Sequence, residues 1–121
     1  MARQTFEICH IDEIPRRGSR GFSVTTAGNI EDVFLVRMPS RVVAYRNSCP
    51  HTGGPLDWVP DQFLNLDGDL IQCATHDALF RIEDGVCVKG PCVGRSLTAV
   101  PVVIEAQQVS VVLDVPDPEK S

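Results

Sequence analysis

Four residues of this chain have the types and spacing to bind metal. Cys49 and His51 stand one residue apart in "SCPHTGG", and Cys73 and His76 stand two residues apart in "CATHDALF". Two thiolates and two imidazoles satisfy a tetrahedral zinc ion. They also satisfy a two-iron, two-sulfide cluster that takes both thiolates on one iron and both imidazoles on the other. Zinc fingers usually pair like with like, cysteine with cysteine and histidine with histidine, whereas here each motif offers one of each. That mixed pairing suits a two-iron unit, because each loop then reaches both irons. Gly53 and Gly54 add backbone N–H groups that can approach closely, and sulfide-rich clusters need such donors more than a zinc ion does. The ligand arithmetic favours the cluster and leaves zinc as the alternative.

Something rigid must position these loops, and the flanking segments read almost throughout as short strands. "DVFLVRM" and "RVVAYRN" are β-branched and aromatic runs on either side of Pro39-Ser40, a hairpin signature. "DLIQCA" follows the Asp67-Gly68 turn signal, and "ALFRI" runs into a turn at Glu83 to Gly85. "VPVVIEA" and "VSVVLDV" predict a last hairpin about Gln107-Gln108. No window of a dozen residues keeps a 3.6-residue period, although "SLTAV" could form one helical turn. The pattern predicts an all-β fold with the metal-binding motifs on loops: Cys49 and His51 after a strand, Cys73 and His76 in the bend between two others.

Composition bounds the function. At 121 residues, 43% hydrophobic and 22% charged, the chain is long enough to bury a core without disulfides. Five cysteines, an odd number, fit thiols and metal ligands in a cytoplasmic protein, and the N-terminus lacks the apolar run of a signal peptide. No stretch is apolar for the length of a membrane span. The net charge of −5 is uneven: seven acids (Asp57, Asp61, Asp67, Asp69, Asp77, Glu83, Asp84) and one base (Arg81) fall between Asn47 and Asp84. Acidity around the Cys/His motifs disfavours nucleic acid and favours basic protein surfaces as partners. "PRRGSRG", with Arg16, Arg17 and Arg20, reads as a solvated loop rather than an anion site. No Rossmann glycine pattern, P-loop or third histidine near the motifs suggests bond-making chemistry. His10 reads as a strand-end residue, and Cys9, Cys87 and Cys92 read as structural thiols.

Taken together, "CPHTGGPL", "CATHDALF", "EDGVCVKGPC" and "LTAVPVVIEAQQVSVVL" resemble a Rieske [2Fe–2S] protein of the soluble ferredoxin type, from about Phe6 to Val115. The resemblance implies one cluster per chain, with Cys49 and Cys73 on one iron and His51 and His76 on the other, at the exposed tip. It implies that Pro91, in "GPC", belongs to a proline-containing loop that covers the cluster from a third side. It implies a Rieske-like fold of antiparallel sheets: a single domain over residues 1–115 with a cluster-binding subdomain at about 47–80, and a tail at 116–121. Three departures stand out. Gly54 and Thr75 replace the cysteines that form a disulfide in the Rieske subunits of respiratory complexes. Asp77 replaces the glycine common after the last histidine and puts a negative charge beside His76. The stretch between the motifs, including Trp58, is several residues longer than in most ferredoxin-type members.

High-potential relatives carry hydroxyls two and four residues after the last histidine, where this chain has Ala78 and Phe80. Without those donors, and with acids nearby, the expected potential lies at the low end of the Rieske range, on the order of −150 mV. The expected function is single-electron transfer from a reductase to an acceptor such as an aromatic-ring oxygenase, with no catalysis of its own. A zinc-stabilised interaction module, or a sensor or accessory subunit of a larger redox complex, is the alternative.

Overall fold

A computed structural model describes residues 2–26, 29–39, 41–48, 50, 56–57, 62–65, 67–73, 78–91 and 93–115. Among the described residues ten strands follow one another: β1 (Ala2–His10), β2 (Ser19–Thr25), β3 (Ile30–Arg37), β4 (Val42–Arg46), β5 (Leu70–Cys73), β6 (Ala78–Arg81), β7 (Cys87–Lys89), β8 (Ala99–Val100), β9 (Val102–Glu105) and β10 (Gln108–Val115). Among the described residues the only helical element is a 3-10 turn at Ile11–Glu13. The strands form three antiparallel sheets, ordered β1-β10-β9, β2-β3-β4-β8 and β5-β6-β7.

The uninterrupted apolar run of β3 has a clear physical cause. Successive side chains on a strand point to opposite faces, so a strand covered on both sides needs no polar alternate positions. Val33 and Leu35 of β3, with Val42 and Ala44 of β4, pack against Val109, Val111 and Leu113 of β10. On the opposite face Phe34, Val36 and Tyr45 pack against Ile71, Cys73, Phe80 and Ile82. The middle sheet therefore separates two cores, and Cys73 lies in one of them. Phe34 stacks on Phe63 with ring centroids 4.3 Å apart and planes 5° from parallel. Each such fully buried side chain stabilises the fold by about 1.5–3 kcal/mol.

The β3–β4 hairpin is closed by Met38 N–H donating to the Arg41 carbonyl at 2.7 Å. Gly68 (φ 71°) donates to the Asn65 carbonyl at 3.0 Å in the turn before β5. The last hairpin turns one residue earlier than expected. Ala106 (φ 50°) and Gln107 (φ 69°) form the two-residue turn, and Gln108 already pairs with Glu105. Two consecutive left-handed residues match the right-handed twist of hairpin strands, a requirement strong enough to override the absence of Asn or Gly.

Two local expectations are corrected. "SLTAV" forms no helical turn: Ala99 and Val100 pair with Tyr45 and Ala44, and the Thr98 carbonyl accepts from Arg46 N–H at 2.9 Å. The edge of β4 offers backbone partners that a segment of five residues, too short to offset the cost of nucleating a helix, cannot match internally. In "PRRGSRG", Arg16 and Arg17 are exposed, but Ser19, Arg20 and Gly21 open β2, and the Arg20 guanidinium lies 5.2 Å from the centre of the Phe22 ring.

Candidate metal centre

Cys73 is the last residue of β5, pairs across the ladder with Ala78 at the start of β6, and is wholly buried. The second motif therefore leaves one strand and enters the next at the edge of the Phe34–Phe80 core. His76 and Asp77, within that connection, lie outside the described residues, as do Cys49, His51, Gly53 and Gly54 of the first motif.

The described residues flanking the first motif show how that loop is anchored. Asn47 N–H donates to the Asp32 carbonyl at 2.9 Å, which ties the start of the loop to β3. The Asn47 side chain reaches forward. Its Oδ1 accepts from Leu56 N–H at 2.8 Å, and its Nδ2 donates to Asp57 Oδ1 at 3.0 Å. One side chain thus clasps both ends of the segment that carries Cys49 and His51. Leu56 is fully buried and belongs to the same core as Cys73, so both motifs are rooted in one apolar body.

A third segment follows β7. Gly90 adopts φ +99°, and a Cβ there would sit 2.9 Å from the Ala78 Cα, so only glycine allows this close approach to β6. Pro91 is exposed, and Cys92 lies outside the described residues. From the far side of this segment Arg95 Nη1 donates to the Pro50 carbonyl at 2.9 Å, between the two residues of the first motif. Neither Asn47 nor Arg95 was foreseen from the sequence. An asparagine at the mouth of a loop is a known backbone-bonding signal, whereas Arg95 carries none.

The positions expected to hold hydroxyls are apolar and packed: Ala78 and Phe80 are both wholly buried. Tyr45 does occupy this core, but its hydroxyl donates to the Ile82 carbonyl at 2.6 Å. Burial, reinforced by the charge of Asp84, pushes the Tyr45 phenol up to about 12. The remaining thiols fit a structural reading. Cys9 and Cys87 are buried, the Cys87 thiol donates to the Lys89 carbonyl at 3.2 Å, and burial followed by the Glu13 charge pushes the Cys9 thiol up. His10 closes β1, accepting from Asp12 N–H at 3.1 Å, with Nε2 3.1 Å from Gln107 Oε1.

The acidity concentrated around the motifs in sequence divides in space. Leu70 pairs with Arg81 at the end of the β5–β6 ladder opposite the Cys73–Ala78 pair, about 10 Å away. Asp67, Asp69, Glu83 and Asp84 flank that far end, and Arg81 Nε donates to Asp84 Oδ1 at 3.0 Å, which holds the Asp84 carboxyl below its usual range. Among the described residues, Asp57 alone of the seven acids flanks a Cys/His segment, and Arg95 bonds to the same segment at Pro50.

The donor chemistry fits a mixed-ligand iron centre: a buried thiol at a strand end, a second Cys/His segment whose flanking Leu56 is rooted in the same core, and a glycine-proline segment against Ala78. The family model for the Rieske [2Fe-2S] domain matches residues 4–111, and the chain belongs to that family. Its cofactor is a Rieske-type [2Fe–2S] cluster, and the zinc alternative is set aside. The chain is 26% identical over 103 residues to the biphenyl dioxygenase ferredoxin subunit of Pseudomonas sp. (strain KKS102), covering 85% of this chain and 86% of that one. In shape it is similar to the ferredoxin of carbazole 1,9a-dioxygenase from Nocardioides aromaticivorans IC177, with TM-score 0.69, 22% identity, and coverage of 88% and 95% of the two chains. It is also similar to a Mycobacterium tuberculosis protein described as an NADH-dependent nitrite reductase small subunit, with TM-score 0.65, 20% identity, and coverage of 96% and 100%. These likenesses in shape establish the all-β, Rieske-like fold. Among the described residues no helix is long and apolar enough to cross a membrane.

Proposed function

We propose that this chain is a Rieske-type ferredoxin that carries single electrons from a reductase to an oxygenase, and that Cys49, Cys73, His51 and His76 hold its cluster. When bound, such a cluster supplies one-electron redox chemistry at a potential set by ligand charge and hydrogen bonding to sulfur. The chain's own residues do the rest. Cys73 and Leu56 fix the two ligand loops to one core, and Asn47 closes the first loop at its base. Gly53 and Gly54 offer backbone donors, Asp77 adds negative charge beside His76, and Pro91 stiffens the covering segment. The observation that carries this reading is the joint rooting of two mixed Cys/His loops in the Phe34–Phe80 core.

An oxygenase is favoured as acceptor because the biphenyl and carbazole relatives are named as ferredoxins of dioxygenases. The test is rapid mixing of chemically reduced protein with an oxidised ring-hydroxylating oxygenase. Reoxidation that tracks reduction of the oxygenase supports the proposal, and a reduced protein indifferent to every oxygenase offered counts against it. The nitrite reductase small subunit supports a second reading, an accessory subunit of a larger reductase. Purification of the native protein in a fixed-stoichiometry complex would favour that reading over a free carrier.

A further inference from the structure

Between β7 and β8 the chain meets Pro50 of the first Cys/His motif through Arg95 and meets Ala78, where β6 begins, through Gly90. We propose that Arg95 is a positioning residue that fastens the first Cys/His loop to the connection between β7 and β8. This inference rests on the ligand assignment proposed above.

Arg95 is itself well placed to act as an anchor. Its carbonyl accepts from Cys87 N–H at 2.9 Å, which fixes its main chain to the core sheet. Its guanidinium then spans 45 residues of sequence to donate to the Pro50 carbonyl at 2.9 Å. Pro50 has no N–H of its own and a fixed φ, so its carbonyl is the handle by which Cys49 and His51 can be held as a unit. Five residues before Arg95, the Gly90 backbone lies against Ala78, the first residue of β6, which fixes the same connection to the core sheet. Pro91 and the bond from Val93 N–H to the Gly90 carbonyl at 3.4 Å stiffen the span between these contacts. Arg95 also brings a positive charge to the first motif.

Position and charge are separable by substitution. Arg95→Ala removes the donor and the cation, Arg95→Gln keeps an N–H donor without charge, and Arg95→Lys keeps both in a less directional form. Each variant is compared with the wild type, as purified, in two ways: the rate at which a ferrous chelator bleaches the visible absorption, and backbone amide exchange across residues 47–57. We expect Arg95→Ala to bleach about five-fold faster, the scale of one hydrogen bond, with faster exchange confined to 47–57. Arg95→Lys should restore most of both, and Arg95→Ala and Arg95→Gln should shift the midpoint potential downward together. Unchanged bleaching and exchange in Arg95→Ala, or exchange that rises equally through both cores, would overturn the role proposed for Arg95. A wild-type protein with no iron or sulfide would defeat the ligand assignment instead, while exchange over 47–57 would still report on Arg95.

Discussion

At the scale of single residues, the redox character rests on what surrounds Cys73. Ala78 pairs directly with it and Phe80 lies two residues further along the same buried face, so neither supplies a hydroxyl to sulfur. The wild-type midpoint is therefore expected near −150 mV, and a value above about +100 mV by protein-film voltammetry would contradict this. Phe80→Tyr should raise it, because a hydroxyl donor near a ligand sulfur stabilises the reduced, more negative state. Asp77→Asn should also raise it, by removing an anion beside His76; an unchanged or lower potential removes Asp77 from the account. Tyr45 makes a prediction about stability. Its phenol is pushed up to about 12, so the neutral hydroxyl is favoured by the fold, and its contribution is complete below pH 10 and lost as pH rises toward 12. Tyr45→Phe should cost about 1–2 kcal/mol in urea unfolding at neutral pH, since the Ile82 carbonyl loses its donor. The gap from wild type should close between pH 10 and 12, and a constant gap would contradict the assignment.

At the scale of elements, Asn47 is a local device with a loop-wide effect. Two side-chain bonds and one backbone bond join β3 to both ends of the first ligand loop. Asn47→Ala should therefore lower the iron content of purified protein more than it lowers the melting temperature, and the opposite ordering would show a merely structural role. How far such elements could be read in advance depended on the range of the forces involved. The β3–β4 hairpin and the β5 and β6 strands were legible, because β-branched runs and Pro, Asp-Gly and Glu-Asp-Gly turns act over a few residues. The family was legible for the same reason, because the Cys/His pairs that mark it stand close together in sequence. What was not legible is long-range: that "SLTAV" would be drawn onto the edge of β4, that "VFLV" would serve two cores at once, and that Arg95 would reach Pro50. Those outcomes follow from which surfaces meet, and sequence-local pattern carries little of that information.

At the scale of the whole molecule, two cores share one middle sheet, and Leu56 and Cys73, which root the two Cys/His segments, belong to the second core. The acidic residues divide along the β5–β6 ladder. Asp69 and Glu83 lie at the far end of the β5–β6 ladder from Cys73, whereas in sequence Asp61 lies between the two Cys/His motifs and Asp77 follows His76, and the proposed steering is assigned to this second pair. Electron transfer to an oxygenase should slow with rising salt, and Asp61→Asn should weaken that dependence while Glu83→Gln leaves it unchanged. Equal effects of the two substitutions would point to net charge rather than a docking face. The most direct test of the whole account is pulsed electron paramagnetic resonance of the dithionite-reduced protein, compared with Cys73→Ser, His51→Ala and His76→Ala. The account predicts nitrogen couplings from two imidazoles in the wild type and loss of the assembled centre in each variant. A reduced iron–sulfur signal without nitrogen coupling, or one that survives replacement of either histidine unchanged, would contradict it.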